Sequence, residues 1–189
     1  MRRRNGRNRR IASMAAVTVF AVACGATADD PTEAGQDAVT DEPAADDGPA
    51  EDVGDTAPQM SFEDFDGRTT SMADFEGRPT VVNFWASWCP PCIAEMPDLE
   101  AVFQEFDGDV AFLGLNTQDT REQADRLVEQ TGVTYDLALD PDGALARAFG
   151  LFTMPTTYFV DADGNVVSRH GGILTADQLR TQIEQDLMP

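Results

Sequence analysis

The sequence has no lysine. Its 13 basic residues are all arginine, set against 34 acids in 189 residues, and six of the arginines stand within the first ten positions. Beyond residue 23 the balance is 7 arginines against 34 acids, a net charge of −27. Such a surface repels phosphate backbones and anionic headgroups, which argues against nucleic-acid binding and against electrostatic adhesion to a membrane. Histidine is almost absent, with only His170, and there are three cysteines: Cys24, Cys89 and Cys92. A tetrahedral zinc site built on Cys89 and Cys92 would need about two further ligands, which this inventory hardly supplies. The apolar stretch 11–23 is too short for the roughly 20 residues that span a bilayer as a mature helix. No internal repeat is visible.

What stands at the N-terminus has the form of an export signal. Arg2 to Arg10 is a basic leader, Ile11 to Ala23 an apolar core, and Ala21-Val22-Ala23-Cys24 a candidate cleavage site. Small residues immediately before a cysteine resemble a bacterial lipoprotein signal. That resemblance implies cleavage before Cys24 and its lipidation; ordinary cleavage after Ala23 would instead leave a secreted or periplasmic protein. Arg9-Arg10 also suggests twin-arginine export, although the flanking residues match that motif poorly. The segment 24–58 is read as a disordered acidic tether with Cys24 as candidate lipid anchor. Its eleven acids, lack of bases and lack of aromatics leave too little apolar surface to offset ordering. A random coil of that length reaches roughly 30–35 Å.

Residues 59–189 have the composition of one folded domain. Phe62 to Arg68 offers an edge strand and an Asp-Gly turn, and Ser71 caps a short helix that ends at Gly77. A core strand is predicted at 80–86, then a helix from about Pro91 to Phe106, kinked at Pro97. Further strands are predicted at 109–116, 135–139, 156–160 and 165–168, the last two forming a hairpin. Helices are predicted at 120–130, 141–149 and from Thr175 or Asp177 to about Leu187. This alternation describes an α/β layer fold with a central mixed sheet flanked by helices.

Cys89 and Cys92 stand where the core strand turns into the helix. On the first helical turn, unpaired N–H groups and the helix dipole favour a thiolate. A thiolate beside a second thiol is the minimum for dithiol–disulfide exchange. A bridge across so short a loop removes little chain entropy, so a purely structural role is disfavoured.

The segment Val81 to Pro97, with Trp88-Cys89-Pro90-Pro91-Cys92 at its centre, resembles the thioredoxin superfamily and, within it, the TlpA/ResA-like extracytoplasmic thiol–disulfide oxidoreductases. Met154-Pro155-Thr156-Thr157-Tyr158-Phe159-Val160-Asp161, followed by Gly164, matches that family's second signature. The resemblance covers about residues 58–189 and implies a thioredoxin-like fold. It implies that Cys89 is the more exposed, attacking thiolate and that Cys92 resolves the mixed disulfide. It also implies a cis-proline at Pro155, which would set the backbone of Met154 beside Cys89 for an incoming chain.

Asn83 occupies a strand position that resembles that of a buried Asp assisting the second cysteine, and it cannot titrate. Glu95, one helical turn after Cys92, is associated in the family with that proton transfer. Trp88, Pro90, Pro91, Met154, Pro155 and Thr156 are the expected substrate-binding residues. Trp85 is read as packing, His170 as a surface-loop residue, and the acids at 98, 100, 105, 107 and 109 as a solvated face.

The resulting expectation is a membrane-tethered protein disulfide reductase outside the cytoplasm. It would be monomeric and need no cofactor beyond the Cys89–Cys92 couple. Its partners would be disulfide-containing exported proteins such as apocytochrome c, in cytochrome c maturation or cell redox homeostasis, and a membrane reductase of the CcdA/DsbD type. Two alternatives stand beside it. One is a peroxiredoxin-like thiol peroxidase, which would want Thr or Ser where Ala86 stands. The other is a non-enzymatic module binding a metal or apo-protein through the two thiols.

Overall fold

Thr80-Val-Val-Asn-Phe-Trp85 forms strand β3, in which every residue is buried. Side chains alternate between the two faces of a sheet, so a strand covered on both sides reads as a continuous apolar run. Val81 and Trp85 enter one core, and Val82 and Phe84 enter the other. The computed structural model describes residues 55–106 and 108–188. The expected export signal, Cys24 and nearly all of the acidic tether lie outside the described residues.

The elements in chain order are β1 (Phe62–Asp64), β2 (Thr69–Thr70), a 3-10 turn (Met72–Phe75), β3, α1 (Pro90–Phe106), β4 (Ala111–Thr117), α2 (Arg121–Thr131), β5 (Asp136–Asp140), α3 (Ala144–Ala148), β6 (Thr156–Val160), β7 (Val166–Gly171) and α4 (Ala176–Asp186). The seven strands make one sheet in the order β2-β1-β5-β4-β3-β6-β7. β3, β4 and β5 are parallel, while β6, β7, β1 and β2 join antiparallel. The helices α1, α2 and α4 supply Met96, Leu99, Ala124, Leu127, Leu179 and Ile183 to one core. The 3-10 turn and α3 cover the opposite face with Met72 and Leu145. This is the thioredoxin-like α/β arrangement, a mixed sheet between helices.

Local chemistry explains the helix ends. Thr120 and Thr175 each open a helix with a reciprocal capping box, completed by Gln123 and Gln178. Helix α1 continues through Pro97 as one element.

Several expectations are corrected. The folded domain begins before residue 59, because Asp55 and Ala57 already pair with Val166 and Gly164 and Ala57 is buried in the core. Composition does not reveal that backbone pairing. Phe62–Asp64 is not the edge of the sheet, since the two-residue β2 covers it. The short helix after Ser71 is a single 3-10 turn, and α3 starts only after Gly143, in the left-handed region at φ 69°. The last strand runs to Gly171, so His170 lies within β7 opposite Thr157 rather than in a loop.

Two of the acids assigned to a solvated face are cross-links. Glu100 accepts hydrogen bonds from Thr134 N and Thr134 Oγ1, both at 2.7 Å. Glu105 takes a two-armed ion pair from Arg180 of α4, at 2.8 Å on each arm.

Candidate active site

Strand β3 delivers its chain to the sheet's carboxyl end, and there Cys89 occupies the N-cap of α1. Pro90 and Pro91 take the first helical positions, where an N–H would have no intrahelical partner and none is lost. The first available donor is Cys92 N, and it points at Cys89 Sγ at 3.3 Å. The sulfur thus sits where a capping oxygen sits in other helices. A thiolate at that place would accept the same N–H and lie at the positive end of the helix dipole. Cys89 and Cys92 are joined as a disulfide, with Cα atoms 5.3 Å apart. Cys89 is the more exposed of the two residues, at 4% against 1% for Cys92, and both are buried.

A second layer holds the approach to Cys89, and nothing in the sequence pattern pointed to it. Asp119, buried just beyond β4, accepts from Ser87 N at 2.6 Å, Ser87 Oγ at 2.7 Å and Asn116 Nδ2 at 2.8 Å. Gln118, at φ 55°, is the one described non-glycine residue in the left-handed region. Its carbonyl accepts the Trp88 indole N–H at 3.3 Å. Ser87 and Trp88, the two residues before the disulfide, are therefore tied to the end of the neighbouring strand. A carboxylate two residues after a strand is a common surface feature, so its sequence position carries no signal.

Asn83 and Glu95, each related to Cys92 by the resemblance, meet in the structure. Asn83 Nδ2 donates to Glu95 Oε1 at 2.8 Å and to Thr157 Oγ1 at 3.1 Å, and Leu174 N donates to Glu95 Oε2 at 3.2 Å. Glu95 is buried, one helical turn from Cys92. Burial pushes its carboxyl up to about 7, the two hydrogen bonds opposing the rise and the Asp98 charge adding to it. A carboxyl that titrates near neutrality inside a protein can hold or release a proton at working pH.

The remaining predicted residues divide. Trp88, Cys89, Pro90, Pro91 and Met154 line one open groove of about 590 Å³. The Met154–Pro155 peptide bond is cis. Pro155 is buried, and its carbonyl accepts from Gly172 N at 2.9 Å. Thr156 is buried at the start of β6 and its hydroxyl donates to Thr153 O at 2.9 Å, so neither residue lines the groove. Trp85 packs in the core, as expected.

With this geometry in place, the likeness to known proteins is specific. A sequence model of the AhpC/TSA family matches residues 53–169. The thiol-disulfide oxidoreductase ResA of Oceanobacillus iheyensis is 31% identical over 142 residues, covering 72% of this chain and 73% of that protein. ResA of Geobacillus thermodenitrificans is 29% identical over 133 residues, covering 70% and 76%. A Chlorobium tepidum structure assigned as the thiol:disulfide interchange protein DsbE superposes with a TM-score of 0.67 at 27% identity, covering 72% of this chain and 98% of that one. A matched family model over most of the chain, together with a disulfide set at a helix start, places this protein in the AhpC/TSA family and among the ResA-type thiol-disulfide oxidoreductases.

Proposed function

We propose that the protein is a reductant of exported disulfide proteins, working outside the cytoplasm while held to the outer face of the membrane by lipid on Cys24. The observation that carries this reading is the Cys89–Cys92 disulfide, capping a helix and opening onto an apolar groove. In the reduced enzyme, Cys89 thiolate attacks one sulfur of the substrate cystine. An S–S bond forms between the proteins and one substrate thiolate leaves, taking up a proton. Cys92 then loses its proton and attacks Cys89 Sγ, which restores the intramolecular disulfide and releases the second substrate thiol. Two electrons pass to the substrate.

Glu95 is the group we assign to that proton. It follows Cys92 by one turn, it is buried, and its carboxyl titrates at about 7. The return to the dithiol needs two electrons from a dithiol donor, for which a membrane reductase of the CcdA/DsbD type suits an extracytoplasmic enzyme. Apocytochrome c is the substrate we favour, on the likeness to ResA-type proteins. The domain's acidic tether would hold it clear of the membrane. Ala86, three residues before Cys89, brings only a methyl group where a peroxidase would want a hydroxyl, which counts against that second reading.

Equilibration of the full chain against thiol buffers of known potential tests the direction. Dithiol–disulfide proteins of such folds spread from about −270 mV to about −120 mV. A value well on the reducing side of that range supports a reductase. A value near the oxidising end would assign the protein to disulfide formation instead.

A further inference from the structure

The groove beside the disulfide has a composition unlike the rest of the chain. In a protein of 34 acids, no acidic residue lines it, and its one charged lining residue is Arg147 at the end of α3. Arg147 is exposed and uses Nη1 on its own loop, donating to Asp142 O at 2.9 Å; its other guanidinium N–H groups have no partner among the described residues. Apolar exposure concentrates here as well. The two most exposed large apolar side chains of the described residues, Phe152 at 91% and Trp88 at 54%, both line this groove, with Met154 and Pro91 beside them. An isolated exposed aromatic is ordinary, but two converging on a reactive disulfide mark a contact surface.

We propose that this groove selects polypeptide segments in which the cystine has both a large apolar neighbour and an acidic one. The apolar side chain seats among Trp88, Phe152 and Met154, and the carboxylate meets Arg147. Charge complementarity decides the occupant: the chain is strongly acidic beyond residue 23, yet the described residues that line this groove offer a cation and no anion. Phe152 and Arg147 are then specificity determinants for the exchange. The inference rests on the reading of Cys89–Cys92 as the exchanging couple.

The test uses cystine peptides that differ in one position. One carries Phe and Glu near the disulfide, a second Phe and Lys, and a third Ala and Glu. kcat/KM is measured with the full chain at about 0.15 M salt, where a Debye length of about 8 Å weakens the steering by the distant acids and leaves a contact pair in place. The proposal expects Arg147→Glu to move the Glu-to-Lys preference by about tenfold toward Lys, as reversing one contact charge does. It also expects Phe152→Ala to lower kcat/KM about tenfold for the Phe peptide and much less for the Ala peptide. A Glu-to-Lys ratio that Arg147→Glu leaves unchanged overturns it. A self-association of the protein that Phe152→Ala abolishes would assign the groove to a second copy, and that too overturns it. Failure of the unsubstituted protein to turn over any of the peptides would remove the exchange reading itself, an outcome distinct from turnover without preference.

Discussion

Replacing Glu95 by glutamine separates the titration of this carboxyl from everything else that changes with pH. The carboxyl sits at about 7 in the folded protein against an ordinary 4.5, and burial is the main cause. Between those two values the folded state keeps a proton that the unfolded chain has released. Stability therefore falls as pH rises through that window and stays low above it. The gap corresponds to about 3 kcal/mol between about pH 4.5 and pH 8.5. Glutamine has no charge to bury and escapes this loss. Its amide sets one N–H group against the donors at Asn83 or Leu174, a penalty that does not depend on pH and cancels in the comparison. Urea unfolding of the oxidised proteins across this range measures it. Relative to the parent, Glu95→Gln should gain about 3 kcal/mol on going from the acid to the alkaline end. A difference that stays constant within about 0.5 kcal/mol would refute a raised carboxyl, and a gain toward acid pH would mean that the carboxyl is lowered.

Other outcomes follow from single contacts. Asp119→Ala leaves three donors, Ser87 N, Ser87 Oγ and Asn116 Nδ2, without their acceptor, and should cost about 2–3 kcal/mol in denaturant unfolding. Amide exchange at Ser87 and Trp88 should quicken, and unchanged protection there would show that Asp119 does not hold the loop. Gly114 lies in β4 where an added Cβ would stand 2.7 Å from Leu137 Cδ2, 2.9 Å from Trp85 Nε1 and 3.0 Å from Tyr135 Cε2. Gly114→Ala should therefore cost about 1–3 kcal/mol by overpacking, and a neutral thermal melt would contradict it.

The fold was legible where local signals agree. Val81 to Trp85 alternates into two cores because its chain neighbours on both faces are helices, and that is written as an unbroken apolar run. Thr120 and Thr175 carry their own capping partners three residues on. The start of the domain was not legible, since Asp55 and Ala57 are held by backbone pairing with a strand more than a hundred residues away. In the site, the cysteines and the cis-proline loop carry their pattern in sequence, and Asn83 and Glu95 were each singled out from it, although their mutual hydrogen bond was not. Glu100 and Glu105 read as surface acids, and Asp119 carried no signal at all, because a carboxylate shows no preference for solvent or for a remote donor until the fold closes. Phe152 was missed for the opposite reason: an aromatic before a strand looks like core, and only the structure shows it facing water.

The most direct measurement is capture of the intermediate. With Cys92→Ser, attack by Cys89 should stall, and the intact mass should show this chain bound covalently through Cys89 to one half of a substrate cystine. Adding Cys89→Ser should abolish the adduct, and either single change should end catalytic turnover of substrate disulfide. Undiminished cleavage by Cys89→Ser, or an adduct that survives it, would contradict the account.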